Sequence, residues 1–339
     1  MRALVLGGTG WLGRAIVEDL LGSGADVTCL ARGKSGAPPG GARFVRVDRR
    51  LLGAYELVRG EWDEVIELSY EPDLVESALD ALADSAAHWT LVSTVSVYDR
   101  NDEPGADESA AVVEPTILTE YADAKVAAER ATAARLGSRL LIGRPGLIVG
   151  PGDPSDRFGY WPARLSRTGP VLTPTTSDRF VQVIDVADLA AWIGQAGQAG
   201  HTGVINAVGE TIPMIDFYRS VASVTGFDGQ LIEVEDSALV SHGVRYWAGP
   251  RSLPLWLPPS DAALAQRSGE AFLQSGGQVR PMEATVSAVL AYERSRGIDR
   301  ARRSGLTASE ERDVLRQARS RIHHRAAFNA RRSLRRRGL

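Results

Sequence analysis

The sequence predicts an α/β fold, a doubly wound and mainly parallel sheet with a smaller C-terminal substrate-binding region. Three observations lead there. The chain opens on a short apolar run, Ala3 to Leu6, followed by Gly7, Gly10 and Gly13 and then by apolar residues at helical spacing. Strand-like and helix-like stretches alternate through the first half, which implies right-handed crossovers and a parallel sheet. The second half is broken by glycine and proline, as in Gly150-Pro151-Gly152-Asp153-Pro154, and fits a region interleaved with the last strands.

Ala3-Leu4-Val5-Leu6 has the length and composition of a buried strand. Leu12, Ala15, Ile16 and Leu20 recur on one face of a helix that stops at Gly22-Ser23-Gly24. The glycines therefore stand at a strand-to-helix turn. There the first permits the tight turn, the second lets backbone approach a pyrophosphate, the third lets helix pack on strand, and the helix N-terminus faces the anion. An ordinary turn in a glycine-rich chain is the plainer reading of the same residues. Further strands are expected at Asp26–Leu30, Arg43–Val47, Glu64–Leu68, Trp89–Ser93 and Arg139–Ile142. Helices are expected over Pro72–Ala86, Thr119–Leu136, Val186–Gln198 and Pro213–Thr225, with a proline- and tryptophan-rich stretch from Leu253 to Pro259. Ligands of such a sheet bind at the carboxyl ends of its strands.

With 339 residues, 44% of them hydrophobic, the chain is long enough for one large domain or two unequal ones. No apolar stretch reaches the roughly 20 residues of a membrane span, and the run before the glycines is too short for the apolar core of a secretion signal. The single cysteine, Cys29, excludes an internal disulfide, so a reducing, cytoplasmic location is expected and Cys29 reads as a core residue. No Cys/His spacing suits zinc, and His323 and His324 are adjacent rather than a helical turn apart, so no metal is expected. Of 39 basic residues only Lys34 and Lys125 are lysines, which singles out both.

Arg32 lies just past the second strand. A carboxylate there would bind the ribose hydroxyls of NAD, whereas an arginine accommodates a 2′-phosphate, so NADP is expected ahead of NAD. Stacking of Arg32 on adenine is the alternative with either cofactor. Asp48, after the third strand, suits the adenine amino group or the cap of the segment Arg49 to Arg59. Tyr121 and Lys125 are four residues apart and share one helix face. A neighbouring ammonium lowers a tyrosine's pKa from about 10 toward the working range, and lysine binds ribose hydroxyls as a compact donor. A surface pair on a helix is the alternative.

Together with Ser93-Thr94-Val95-Ser96-Val97-Tyr98, Arg144-Pro145-Gly146 through Asp153, and Val183-Ile184-Asp185-Val186-Ala187, these features resemble the extended and atypical short-chain dehydrogenase/reductase superfamily, of the NAD-dependent epimerase/dehydratase type. The resemblance runs over about residues 1–210, and the Gly-x-x-Gly-x-x-Gly spacing is the variant such proteins carry. It implies a Ser/Thr-Tyr-Lys triad of Thr94, Tyr121 and Lys125, with Ser93 and Ser96 as fallbacks. The cofactor contacts it implies are Gly7, Gly10, Trp11, Leu12, Gly13, Arg32, Asp48, Lys125 and Pro145, and the substrate contacts are Ser96 and Arg179. Departures are informative. Val95-Ser96 stand where similar dehydratases carry Asp-Glu, which argues against dehydration. Glu67-Leu68-Ser69-Tyr70 replaces the common His-Leu-Ala-Ala. Asp178 stands where an arginine usually holds a substrate diphosphate, leaving Arg179 as the replacement or as a salt-bridge partner of Asp178 or Asp185.

The expected organisation is a dinucleotide-binding Rossmann domain over 1–150, a substrate-binding region over 151–300 and an arginine-rich C-terminal helical extension over 301–339. The extension carries twelve arginines against three acids, which a solvated helix explains, so nucleic acid and membrane are not expected as partners. The expected activity is that of an NAD(P)-dependent reductase, dehydrogenase or sugar epimerase acting on a secondary alcohol or ketone of a small molecule. The expected assembly is a homodimer through the alanine-rich helix Thr119–Leu136, although packing inside one chain also accounts for its alanines. The alternative is a non-catalytic, dinucleotide-sensing or RNA-associated member of the same family.

Overall fold

The glycine turn joins β1 (Arg2–Leu6) to α1 (Trp11–Gly22), and β2 (Asp26–Ala31), β3 (Arg43–Arg46), β4 (Trp62–Glu67), α2 (Pro72–Leu82), β5 (Ala86–Val92), α3 (Tyr121–Leu136) and β6 (Leu140–Pro145) follow. This is a computed structural model, and it describes residues 1–318. The chain continues through β7 (Leu147–Val149), α4 (Arg157–Leu165), β8 (Val171–Pro174), β9 (Phe180–Asp185), α5 (Val186–Ala199), β10 (Gly203–Ala207), β11 (Thr211–Pro213) and α6 (Met214–Thr225). Then come β12 (Leu231–Val234), α7 (Asp236–Ser241), β13 (Arg245–Trp247), β14 (Ser252–Pro254), α8 (Glu270–Gln274) and α9 (Met282–Arg296), with residues 308–318 again helical.

Seven parallel strands form the central sheet in the order β10-β6-β5-β4-β1-β2-β3. The chain winds outward from β1 in both directions, so the order reverses between β1 and β4, where Leu6 pairs with Glu67. In a sheet of this kind the ligand crevice opens at the carboxyl ends of those two strands. Alternation along each strand sends Ala3 and Val5 to one face and Leu4 and Leu6 to the other. Ile16, Val17 and Leu20 of α1 with Leu189 and Ile193 of α5 cover the first face. Val75 and Leu79 of α2 with Ala128 and Leu136 of α3 cover the second. Each fully buried aliphatic side chain contributes roughly 1.5–3 kcal/mol to this double-sided core.

The chain divides into two compact units. One comprises Met1–Gly150, Phe180–Ile212 and Pro259–Pro281 and contains the central sheet; the other comprises Pro151–Arg179, Pro213–Pro258 and the described residues from Met282 on. In the second unit β8 pairs with β12 and β13 with β14, both parallel. Phe158 and Trp161 of α4 pack against Phe217 and Tyr218 of α6, with ring centroids 5.6 and 4.8 Å apart. Of the arginine-rich extension, residues 319–339 lie outside the described residues. In the part described, Glu311 forms a buried ion pair with Arg164, and Arg302 pairs with Glu293 at 2.6 Å.

Element boundaries differ from expectation in two instructive places. Helix α2 stops at Leu82 and gives way to a 3-10 turn over Ala83–Ser85, because β5 already begins at Ala86 opposite Trp62. Helix α3 begins at Tyr121, two residues late. The Asp123 carboxylate accepts the backbone N–H groups of Thr116 and Ile117, at 2.9 and 2.7 Å, and ties the incoming loop to the first helical turn.

Candidate active site

Gly7 adopts φ +103°, a conformation open to glycine, and its amide donates to Leu30 at the end of β2. A Cβ on Gly13 would lie 2.5 Å from the Gly7 carbonyl oxygen and 2.9 Å from the Gly8 Cα, so α1 approaches the turn at a distance only glycine allows. A Cβ on Gly8 would meet the buried Cys29 sulfur at 2.7 Å, so Cys29 packs under the turn. Gly10 is the N-cap of α1 and offers no side-chain cap, and the first turn, which starts at Trp11 and Leu12, contains no acid. That leaves a helix N-terminus suited to an anion.

A cavity of about 200 Å³ opens beside this turn, with Gly7, Gly10, Arg32, Lys34, Asp48 and Arg49 in its wall. Asp48 accepts the Arg50 amide at 3.1 Å and so also holds the turn that follows β3. Arg49, not singled out in the sequence, is buried and donates to both carboxylate oxygens of Glu67, at 2.6 and 3.2 Å, and to the Ser69 hydroxyl. Glu67 also accepts the Ser69 amide at 2.7 Å. A buried carboxylate at the end of β4 thus neutralises Arg49, while Arg32 and Lys34 remain as the cations of this wall. The glycine cradle, the uncapped helix and this basic wall fit a dinucleotide.

At the carboxyl end of β5 the chain enters a 3-10 turn over Val95–Val97. Thr94 caps it: its hydroxyl accepts the Ser96 amide at 3.1 Å and donates to the Ser96 hydroxyl at 3.2 Å. Thr94 is buried and Ser96 exposed, and the Ser93 hydroxyl is buried with no hydrogen-bond partner among the described residues. Lys125 is 4% exposed, and its ammonium donates to the Val92 carbonyl at 2.6 Å. Burial pulls this ammonium down to about 8 from its ordinary 10.5, against the carboxylates of Glu67 and Glu129, which raise it. Tyr121, one turn earlier, is half-exposed. Its ring stands edge-on to Tyr70, centroids 5.0 Å apart, and the Lys125 nitrogen lies 5.1 Å from the Tyr70 centroid and 5.9 Å from that of Tyr121.

Pro145 is buried at the end of β6. Its neighbour Arg144 is structural: it pairs with Glu129 at 2.6 Å and reaches the Tyr98 hydroxyl at 3.1 Å. Asp185 caps α5 by accepting the Ala187 amide at 2.9 Å. Arg179 belongs to the second unit. There it forms an ion pair with Asp236 and donates to the Leu257 carbonyl at 2.6 Å, so its partner is neither Asp178 nor Asp185.

A model of the NAD dependent epimerase/dehydratase family matches residues 3–77 and 70–209, more than half of the chain. The chain belongs to that family. Among curated proteins, dTDP-6-deoxy-L-talose 4-dehydrogenase (NAD(P)(+)) of Kitasatospora kifunensis is 29% identical to it over 185 residues, 48% of this chain and 58% of that protein. Of solved structures, the UDP-glucose 4-epimerase of Thermus thermophilus in complex with NAD is similar at a TM-score of 0.60 and 20% identity, covering 88% of this chain and 100% of that one. The UDP-Glc/GlcNAc 4-epimerase of Campylobacter jejuni is similar at a TM-score of 0.65 and 13% identity, covering 87% and 99%. At such identities these structures share the fold with this family member. Among its described residues no helix is long and apolar enough to cross a membrane.

Proposed function

We propose that this chain is an NADP-preferring oxidoreductase that interconverts a secondary alcohol and a ketone on a small molecule or sugar. One observation carries the reading: Tyr121 and Lys125 share the first turns of α3, with the Lys125 ammonium buried at the carboxyl end of β5, two residues before Thr94. Tyr121 moves the proton to or from the substrate oxygen. Lys125 places its ammonium beside the tyrosine and would hold the nicotinamide ribose hydroxyls, and Thr94, its hydroxyl turned away from Ser96, would donate to the same substrate oxygen. A bound dinucleotide would supply the hydride chemistry. Gly7, Gly10 and Gly13 with the N-terminus of α1 would hold its pyrophosphate, and Arg32 would meet the 2′-phosphate, with Asp48 at the adenine.

Redox chemistry at a carbinol carbon is also the activity named for the Kitasatospora relative. Sugar epimerisation is the second reading, favoured by the epimerases among the similar structures. The ion pair of Arg179 with Asp236 weighs against it, because a diphosphate clamp needs that guanidinium. The assembly proposed is a homodimer in the reducing cytoplasm, with α3 against its copy. Ala124 and Ala128 are buried within their own unit and Ala122, Ala127 and Ala131 are half-buried, so such a contact would fall on these three and on the exposed Ala133 and Ala134. Mass-spectrometric identification of a co-purifying dinucleotide, followed by titration with NADPH and NADH, tests the reading. Binding of neither overturns it.

A further inference from the structure

The geometry points to Tyr70 as a positioning residue for the acid–base pair: its ring face carries the Lys125 ammonium, and its edge-on contact fixes the Tyr121 ring. This rests on the roles proposed for Tyr121 and Lys125. Tyr70 directly follows Ser69, which is locked to Glu67 and Arg49, so its backbone is anchored at the end of β4. The Lys125 nitrogen lies 5.1 Å from the Tyr70 centroid, within the roughly 6 Å at which a ring quadrupole attracts a cation. An ammonium has three donors, and with 4% exposure little water reaches this one. The Val92 carbonyl takes one donor, and two aromatic rings stand close by. At 5.0 Å and 82° the Tyr70 and Tyr121 rings meet in the T-shaped arrangement aromatic pairs favour, so both rings are held by the same contact set.

The charged groups around Lys125 come from two elements, β4 and α3. Glu67 at the end of β4 is paired with Arg49, and Glu129 on α3 is paired with Arg144, so each carboxylate is already shared with an arginine. Tyr70 and Tyr121 complete the surroundings. The Tyr70 ring therefore adds attraction that neither carboxylate supplies alone.

Because Lys34 and Lys125 are the chain's lysines, carbon-13 labelling at lysine Cε gives two side-chain signals, which Lys34→Arg assigns. The Lys125 signal of the unmutated protein should titrate near 8. Tyr70→Phe keeps the ring and should leave that midpoint in place. Tyr70→Leu keeps an apolar side chain but removes the quadrupole, and should lower the midpoint by roughly 0.5 to 1 pH unit. An unchanged midpoint in Tyr70→Leu, a rise, or an equal fall in Tyr70→Phe overturns the proposal, and far-ultraviolet circular dichroism establishes that each variant is folded. The functional reading is judged separately, by NADPH titration of the unmutated protein, so the two fail independently.

Discussion

The Lys125 ammonium donates to the Val92 carbonyl oxygen at 2.6 Å, which fixes a buried charge from α3 at the carboxyl end of β5. The energetic consequence is measurable. With a folded value near 8 against an ordinary 10.5, the unfolded chain binds this proton more tightly than the folded one between those pH values. The contribution of Lys125 to stability is therefore full above 10.5 and is lost as pH falls through about 8. Lys125→Met should abolish this part of the pH dependence, on the order of 3 kcal/mol across the window, in denaturant titrations of both proteins. The same variant should bind NADPH more weakly. Parallel stability curves for the two proteins would refute the assignment of a buried, charged Lys125.

Gly13→Ala places a methyl group 2.5 Å from the Gly7 carbonyl, against backbone that cannot move aside cheaply. The expected loss is about 1–3 kcal/mol, the usual cost of overpacking, read in urea denaturation. NADPH affinity should fall at least about tenfold, because the same displacement distorts the turn proposed to hold the pyrophosphate. Normal affinity in this variant would mean the anion binds elsewhere.

If Arg32 meets a 2′-phosphate, the unmutated protein binds NADPH more tightly than NADH and Arg32→Asp reverses the order. Calorimetry decides it. Tighter NADH binding by the unmutated protein would return Arg32 to stacking on adenine.

The parts of this site that the sequence made legible are local in the chain. Gly7, Gly10 and Gly13, and Tyr121 with Lys125, announce themselves by spacing within one turn or one helix. Arg49 with Glu67 and Tyr70 with Tyr121 join residues that only the sheet brings together, and no periodicity in one sequence links them. A visible sign did exist for Glu67, an acid at the end of an apolar strand. Arg179 shows the same limit, since its partner Asp236 lies 57 residues away, whereas the sequence offers a substrate diphosphate or the nearer Asp178 and Asp185. The parallel sheet is legible from the alternation of elements and the broken second half signals an interleaved region, but nothing local marks where 180–212 and 259–281 return to the first unit.

His88 and Glu64 form a buried pair across β4 and β5, with Nδ1 and Oε2 2.5 Å apart. Burial works against the imidazolium, but Glu64 and the His201 carbonyl outweigh it and hold His88 above 6.5. The stability this supplies is full below 6.5 and is lost as pH rises through the raised value. Burial also pushes the Glu64 carboxyl up, so an ionised Glu64 destabilises the fold once His88 is neutral. The stability cost of Glu64→Gln should therefore shrink as pH rises past 6.5. A cost independent of pH would show that the pair is not ionised.

The most direct measurement compares the unmutated protein with Tyr121→Phe for NADPH-dependent turnover of a panel of ketones and UDP- and dTDP-sugars. The variant lacks one oxygen atom, that of the proposed proton carrier, and keeps the ring that packs on Tyr70. The expected result is NADPH affinity within about twofold of the unmutated protein and turnover lower by roughly 10²–10⁴, the contribution of a positioned acid–base group. Full activity in Tyr121→Phe, or tight NADPH binding with no turnover of any compound by the unmutated protein, would contradict the account.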